Sequence, residues 1–220
     1  MARQLRLPLQ KPTSFKSEDF VVSSANFDAE RLVRAWPEWP SGCLVICGPE
    51  GVGKTHLAMA WANQAGATVL QSATQAPRAT GPVLIEAAER WADDEALFHL
   101  INRAPLEGGL LMTSRRPPLT WEARLPDLRS RLNALTVAEL TEPDDALLSQ
   151  VILKLFRERN IRPTDDVLPY LLRRMERSVP AARDLVDRID EAADAEQRPI
   201  SRVLVRQILE IEAETPDLFE

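Results

Sequence analysis

Cys43-Leu44-Val45-Ile46-Cys47-Gly48-Pro49-Glu50-Gly51-Val52-Gly53-Lys54-Thr55 is the stretch of sequence that decides the fold. Leu44 to Cys47 is an unbroken apolar run, as a strand buried on both faces requires. The octet that follows has the spacing GxxxxGK[ST], and residues 58–65 continue as an Ala-rich helical run. Strand, glycine-rich turn and helix form the context in which that spacing carries chemistry. The glycines let backbone N–H groups turn inward as an anion nest, and the helix N-terminus adds its partial positive charge. Lys54 is placed to reach the β and γ phosphates of a nucleotide, and Thr55 to ligate Mg²⁺.

Outward from this loop the segments alternate. An amphipathic stretch over residues 25–36 precedes it. Residues 68–71, 83–85, 110–112 and 135–137 read as strands, and 93–103 as a helix between them. Short connections between strands and helices predict a parallel sheet with helices on both faces. After Thr141 only helical patterns remain, over residues 144–159, 165–177, 181–195 and 202–212. Thr141, Thr164 and Ser201 stand where N-caps are expected, with acidic residues behind the first two. The expected class is α/β: a nucleotide-binding base over residues 18–140 and a four-helix lid over 141–220, with residues 1–17 as an extended tail.

Composition limits the alternatives. The 220 residues are 45% apolar with a net charge of −6, enough for a moderate domain and a small one. Up to Val137 there are 15 basic and 14 acidic residues, and beyond it 12 and 19, so the acidity lies in the C-terminal part. That balance argues against a C-terminal DNA-binding surface and against direct sequence-specific DNA recognition. No run reaches the roughly 18 apolar residues of a membrane span, and MARQLRLPLQKP lacks the apolar stretch of a signal peptide. A cytoplasmic protein without membrane contact is expected. Cys43 and Cys47 then read as small buried hydrophobes and not as a disulfide.

A phosphate loop also needs an acid at the end of a neighbouring strand to hold the metal through water. Val83-Leu84-Ile85 ends in Glu86, followed by Ala87 and Ala88. Glu86 is the candidate metal-side acid, with Thr55. An alanine stands where a second acid would orient an attacking water, so binding without efficient hydrolysis is expected. His56 and His99 have no companions at ligand spacing, which leaves no metal beyond the nucleotide's Mg²⁺. The tryptophans lie beside prolines or in apolar segments away from basic clusters and read as packing residues.

These stretches and several others, in this order, resemble the replication-initiator branch of AAA+ proteins, the DnaA family, and within it the short members that lack the DNA-binding domain. The resemblance covers about residues 4–212. Phe20-Val21-Val22 with Asn26 is similar to the family's adenine-side motif, and Gly53-Lys54-Thr55-His56-Leu57 to its phosphate loop. Leu111-Met112-Thr113-Ser114-Arg115-Arg116-Pro117 resembles its sensor I strand and turn. Leu128-Arg129-Ser130-Arg131-Leu132 resembles the segment that carries the family's arginine finger. The resemblance implies that ADP or ATP, with Mg²⁺, is held by Phe20, Val21, Val22, Asn26, the loop Gly48 to Thr55, and His56.

Two departures from the family matter. Glu86-Ala87 stands where the family has paired aspartates. Aligning Ser178-Val179 with the small pair before the sensor II arginine puts Pro180 at the arginine position; Arg183, one turn later on the same helix face, is the candidate substitute. At the N-terminus, Gln4-Leu5-Arg6-Leu7-Pro8-Leu9 resembles the peptides with which bacterial replication proteins dock on the sliding clamp. In an extended chain Leu5, Leu7 and Leu9 project to one side, so an apolar pocket could take two of them while Gln4 supplies hydrogen bonds, with Pro8 inside the same clamp-binding motif.

What the resemblance implies as function is negative regulation of replication initiation. The chain would bind an adenine nucleotide and the β-subunit clamp, and would stimulate hydrolysis of DnaA-bound ATP through Arg131. Arg129 is the rival for that finger, and a base-to-lid salt bridge is the alternative use of Arg131. An autonomous AAA+ ATPase such as a helicase loader, a small-molecule kinase, and a homo-oligomeric form remain open at this point.

Overall fold

The structure is a computed structural model that describes residues 20–214. Its centre is a five-stranded sheet in the order β2-β3-β4-β1-β5. The strands are β1 (Cys43–Cys47), β2 (Thr68–Leu70), β3 (Val83–Ile85), β4 (Leu110–Ser114) and β5 (Thr136–Glu139). Every pairing is parallel, with Cys47 opposite Ser114 on one side and opposite Glu139 on the other. The expected α/β class holds.

β1 is buried on both faces, and its alternation divides two cores. Cys43 and Val45 pack with Ile85, Met112 and the helices α3 (Asp94–Glu107) and α4 (Pro126–Asn133). Leu44 and Ile46 pack on the other face with Ala58, Trp61 and Ala62 of α2 (Lys54–Ala65), and with Ala29 and Val33 of α1 (Phe27–Arg34). Cys43 and Cys47 are both buried free thiols. Four residues of strand hold their Cα atoms about 13 Å apart, well beyond disulfide reach. Burial pushes the Cys43 thiol up to about 12. Trp39 and Trp61 are buried with tilted rings 5.1 Å apart, and Trp36 meets Trp61 edge-on. These tryptophans pack the α1–α2 side of the sheet.

The last four helices, α5 (Asp145–Glu158), α6 (Val167–Leu172), α7 (Val179–Glu196) and α8 (Arg202–Glu214), surround a separate apolar cluster that includes Phe156, Leu171, Ile189 and Val205. Several termini differ from the sequence expectation, each for a local reason. α2 begins at Lys54, because Gly53 adopts a left-handed N-cap (φ 99°) that lets the phosphate-loop lysine enter the first turn. α5 is capped by Asp144, whose carboxylate accepts from the Leu147 amide; Thr141 instead donates its hydroxyl to the Ala25 carbonyl. The N-cap position of α6 is Asp166, and Thr164 donates to that carboxylate. α6 stops at Leu172, well short of residue 177, and the chain turns so that Ser178 can cap α7 through the Ala181 amide. Pro180 sits in the first turn of α7, where its missing N–H costs nothing. α4 is an additional helix over the Leu128–Leu132 segment. No helix among the described residues is long and apolar enough to cross a membrane.

Candidate nucleotide site

The carboxyl ends of β1, β3 and β4 open on one side of the sheet, where parallel α/β folds bind ligands. The loop after β1 holds Gly48, Pro49, Glu50, Gly51, Val52 and Gly53. At Gly51 the backbone is left-handed (φ 76°), and a Cβ there would lie 2.8 Å from Ser178 Cβ. Only glycine fits between this loop and the start of α7. Lys54 Nζ donates to the Gly48 carbonyl at 2.8 Å and to the Pro49 carbonyl. Burial, followed by the charge of Arg115, holds the Lys54 ammonium below its ordinary range. A lysine so placed is a mobile cation at the mouth of the anion nest. Thr55 follows it, exposed, on the first turn of α2.

The turns after β3 and β4 face this loop. Arg115 pairs with Glu50 at 2.6 Å, which joins the β4 turn to the phosphate loop. Thr113 is buried and its Oγ1 accepts from the Ala87 amide at 3.1 Å. Ala87 is left-handed (φ 50°, ψ 48°), and this reversal turns the 3₁₀ segment Ala88–Arg90 back toward β4. There Glu89 Oε1 accepts from the Arg115 amide at 3.1 Å. Trp121 Nε1 donates to Ser114 Oγ and to the Arg116 carbonyl, which fixes the far side of the same turn. Glu86 is exposed and makes no hydrogen bond or ion pair among the described residues.

A cleft runs from the loop to the C-terminal helices. Phe20, Val21, Asn26, Val52, Gly53, His56 and Arg183 line it, together with Leu147, Val151, Lys154, Leu155 and Glu158 of α5 and Val179 of α7. Phe20 packs against the sheet-side cluster and Val21 against the helical one, so two consecutive residues bridge the cleft. The rings of Phe20 and His56 are 5.6 Å apart. Asn26 is buried and its amide serves the backbone: Oδ1 accepts from Ser23 N at 2.8 Å and Nδ2 donates to the Val21 carbonyl at 2.9 Å. It shapes the segment before α1 by tying residues 21 and 23 to the start of that helix. Val22, expected beside Val21, is half-buried and does not line the cleft. Arg183 does line it, as do Lys154 and Glu158.

Sequence reasoning missed Glu89 and the α5 wall. The apolar spacing of Leu147, Val151 and Leu155 marked an amphipathic helix, but nothing in it named the cleft as its neighbour. Glu89 stands in Glu86-Ala87-Ala88-Glu89, where only the left-handed turn at Ala87 brings it back to the site. The residues present fit Mg²⁺: one hydroxyl at Thr55 and a carboxylate from the segment after β3 suit an ion held mostly by phosphate and water. Among the described residues no group of three or more His, Cys, Asp or Glu is arranged to hold a metal by itself.

Arg131 and Arg129 lie on α4. Arg129 donates its guanidinium to the Ala123 carbonyl at 2.9 Å. Arg131 is exposed and makes no side-chain hydrogen bond or ion pair among the described residues, so no base-to-lid bridge forms through it there. Gln4, Leu5, Leu7, Pro8 and Leu9 lie outside the described residues.

No family model matches the chain. Among solved structures it is similar to domain III of the Thermotoga maritima replication initiation protein DnaA, at TM-score 0.74 and 16% identity over 92% of this chain and 98% of that one. AMPPCP-bound DnaA from Aquifex aeolicus superposes at TM-score 0.66 and 20% identity, covering 80% of this chain and 64% of that one. A point variant of Thermotoga maritima RuvB superposes at TM-score 0.71 and 16% identity, covering 90% of this chain and 72% of that one. The fold is that of DnaA-like AAA+ domains.

Proposed function

We propose that this chain is an adenine-nucleotide-binding regulator of the Hda type, which docks on the sliding clamp and stimulates hydrolysis of DnaA-bound ATP. Residues 1–17 serve as the clamp-binding tail, 18–140 as the nucleotide-binding base and 141–220 as the lid. Phosphates sit over the loop Gly48 to Thr55, the adenosine enters the cleft beside Phe20, Val21 and His56, and Arg183 approaches from the lid in place of a sensor II arginine. ADP or ATP fits this arrangement, with Mg²⁺ on Thr55 supplying charge neutralisation at the phosphates.

The observation that carries the regulatory reading is the difference between the two arginines of α4. Arg129 is bonded to its own chain through Ala123, whereas Arg131 is exposed and unpartnered among the described residues. A free planar guanidinium on a short helix is suited to donation into another molecule's phosphoryl-transfer site, where charge builds on the transferring oxygens. The chain's own site is poorer in catalytic groups, because Ala87 occupies the position from which a second acid would orient water.

The test is ATP hydrolysis by DnaA in the presence of this protein, DNA and loaded clamp, with each component omitted in turn. Stimulation that needs both this protein and the clamp supports the reading. The protein alone is expected to turn over well below about 1 per second, the low end of competent enzymes. Robust turnover alone, with no effect on DnaA, would instead identify an autonomous ATPase.

A further inference from the structure

Of the two carboxylates near the phosphate loop, the one that the sequence motif marks is the less engaged. Glu86 follows β3 directly, exposed and unpartnered among the described residues. Glu89, three residues on, is returned to the site by the left-handed turn at Ala87. Its Oε1 is fixed by the Arg115 amide at 3.1 Å. Its Oε2 is closed off from solvent and has no hydrogen-bond partner.

A buried carboxylate oxygen without a donor is costly, and in a native protein it calls for an explanation such as a catalytic role, a bound ion or a water. The surroundings identify the sign of the missing partner. Glu89 is among the charges that act on Lys54 and on Cys47, at the end of β1. The Arg115 guanidinium is turned to Glu50. The free oxygen therefore has no hydrogen-bond partner in a turn that faces the phosphate loop, and can accept from a water on a cation that accompanies bound phosphates.

We propose that Glu89, in place of Glu86, is the metal-side carboxylate of this site, its Oε2 accepting a hydrogen bond from a water on the Mg²⁺ that Thr55 ligates. The assignment rests on the nucleotide-site reading above. Mg²⁺ keeps several of its waters and is held through one or two carboxylates, so a single well-positioned oxygen suffices. The assignment also separates two roles that the motif usually joins. Glu89 supports the ion, while nothing at position 87 orients an attacking water, so a nucleotide is retained without being consumed.

The test is calorimetric titration of ATP into the full chain, with Mg²⁺ and with EDTA. In the wild type Mg²⁺ is expected to raise ATP affinity by about 10-fold or more, the scale on which an outer carboxylate acts on metal binding. Glu89→Gln keeps an amide oxygen for the Arg115 N–H and removes only the charge. It is expected to bring the Mg²⁺ effect below about threefold without lowering affinity in EDTA, a split that a purely structural role for Glu89 would not produce. Glu86→Gln is expected to keep the full Mg²⁺ effect. Retention of the effect in Glu89→Gln, or its loss in Glu86→Gln, overturns the assignment. A wild-type chain that binds ATP equally with and without Mg²⁺ overturns it too but leaves the nucleotide site standing, and one that binds no ATP in either condition overturns both.

Discussion

The Val179 amide donates to the Gly51 carbonyl at 3.1 Å, so the first residue of α7 is bonded directly to the middle of the phosphate loop. The contact is backbone to backbone, and Gly51 and Ser178 leave no room for a side chain between them. The helical layer therefore takes its position from the conformation of the loop itself. In a chain with Pro180 in the first turn of α7, this bond supplies a link between the phosphate loop and the C-terminal helices that needs no arginine at that place.

Gly51→Ala tests the link. The new methyl meets Ser178 in a left-handed backbone, and strain of this kind costs about 1–3 kcal/mol. A melting temperature lower by about 2–10 °C is expected, together with weaker nucleotide binding, because loop and helix can no longer approach. A variant that melts and binds like the wild type would show that the contact is dispensable.

Lys54→Ala removes the mobile cation from the loop. Charge-assisted hydrogen bonds to phosphate contribute about 1.5–3 kcal/mol each, so ATP affinity is expected to fall by roughly 100-fold or more. The melting temperature without nucleotide is expected to change little, since the ammonium is bonded only to loop carbonyls. Unchanged ATP affinity by calorimetry would remove the phosphate-loop assignment.

Asp144 caps α5 and also accepts from the Ser24 hydroxyl at 3.0 Å, tying the segment before α1 to the helical layer. The Leu147 amide, then Ser24, hold its carboxyl below the usual aspartate range. Because the folded-state value is depressed, the stabilisation is present above the unfolded aspartate pKa and is lost as pH falls through the folded one. Asp144→Ala is expected to cost about 0.5–2 kcal/mol at neutral pH, and the gap to wild type should close in acid. Urea melts of both proteins across that range give the measurement; a gap independent of pH would contradict the assignment.

How far the sequence was legible follows from where each feature's cause lies. The phosphate loop was readable because its chemistry is backbone chemistry, set by glycine at Gly51 and Gly53 and by a lysine at one spacing. The strands around it were readable because residues buried on both faces must all be apolar. α4 was hidden: in Pro126–Asn133 only Leu128 and Leu132 are buried, too few for a periodic signal. Glu89 was hidden because its place depends on a left-handed alanine, a conformation no composition announces. The caps of α5 and α6 were misplaced because Thr141 and Thr164 direct their hydroxyls to Ala25 and Asp166, leaving the neighbouring aspartates at the cap positions.

The tail reading makes its own demand. Deleting residues 1–10, or changing Leu7 and Leu9 to alanine, is expected to abolish pull-down of the sliding clamp and to leave the melting temperature within about 1 °C, as for surface changes away from packed features. Equal clamp capture without the tail would move clamp binding elsewhere on the protein.

The regulatory account stands most directly on Arg131. Purified Arg131→Ala and Arg129→Ala should be compared with wild type for stimulation of ATP hydrolysis by DnaA on DNA with loaded clamp, at matched nucleotide and clamp binding. An arginine supplied in trans is worth about 10³ to 10⁵ in rate in other P-loop systems, so Arg131→Ala is predicted to fold, bind nucleotide and bind clamp while losing the stimulation. Arg129→Ala, which gives up only a bond to Ala123, is predicted to keep it. Stimulation kept by Arg131→Ala and lost by Arg129→Ala would transfer the finger to Arg129; full stimulation by both variants would contradict the account.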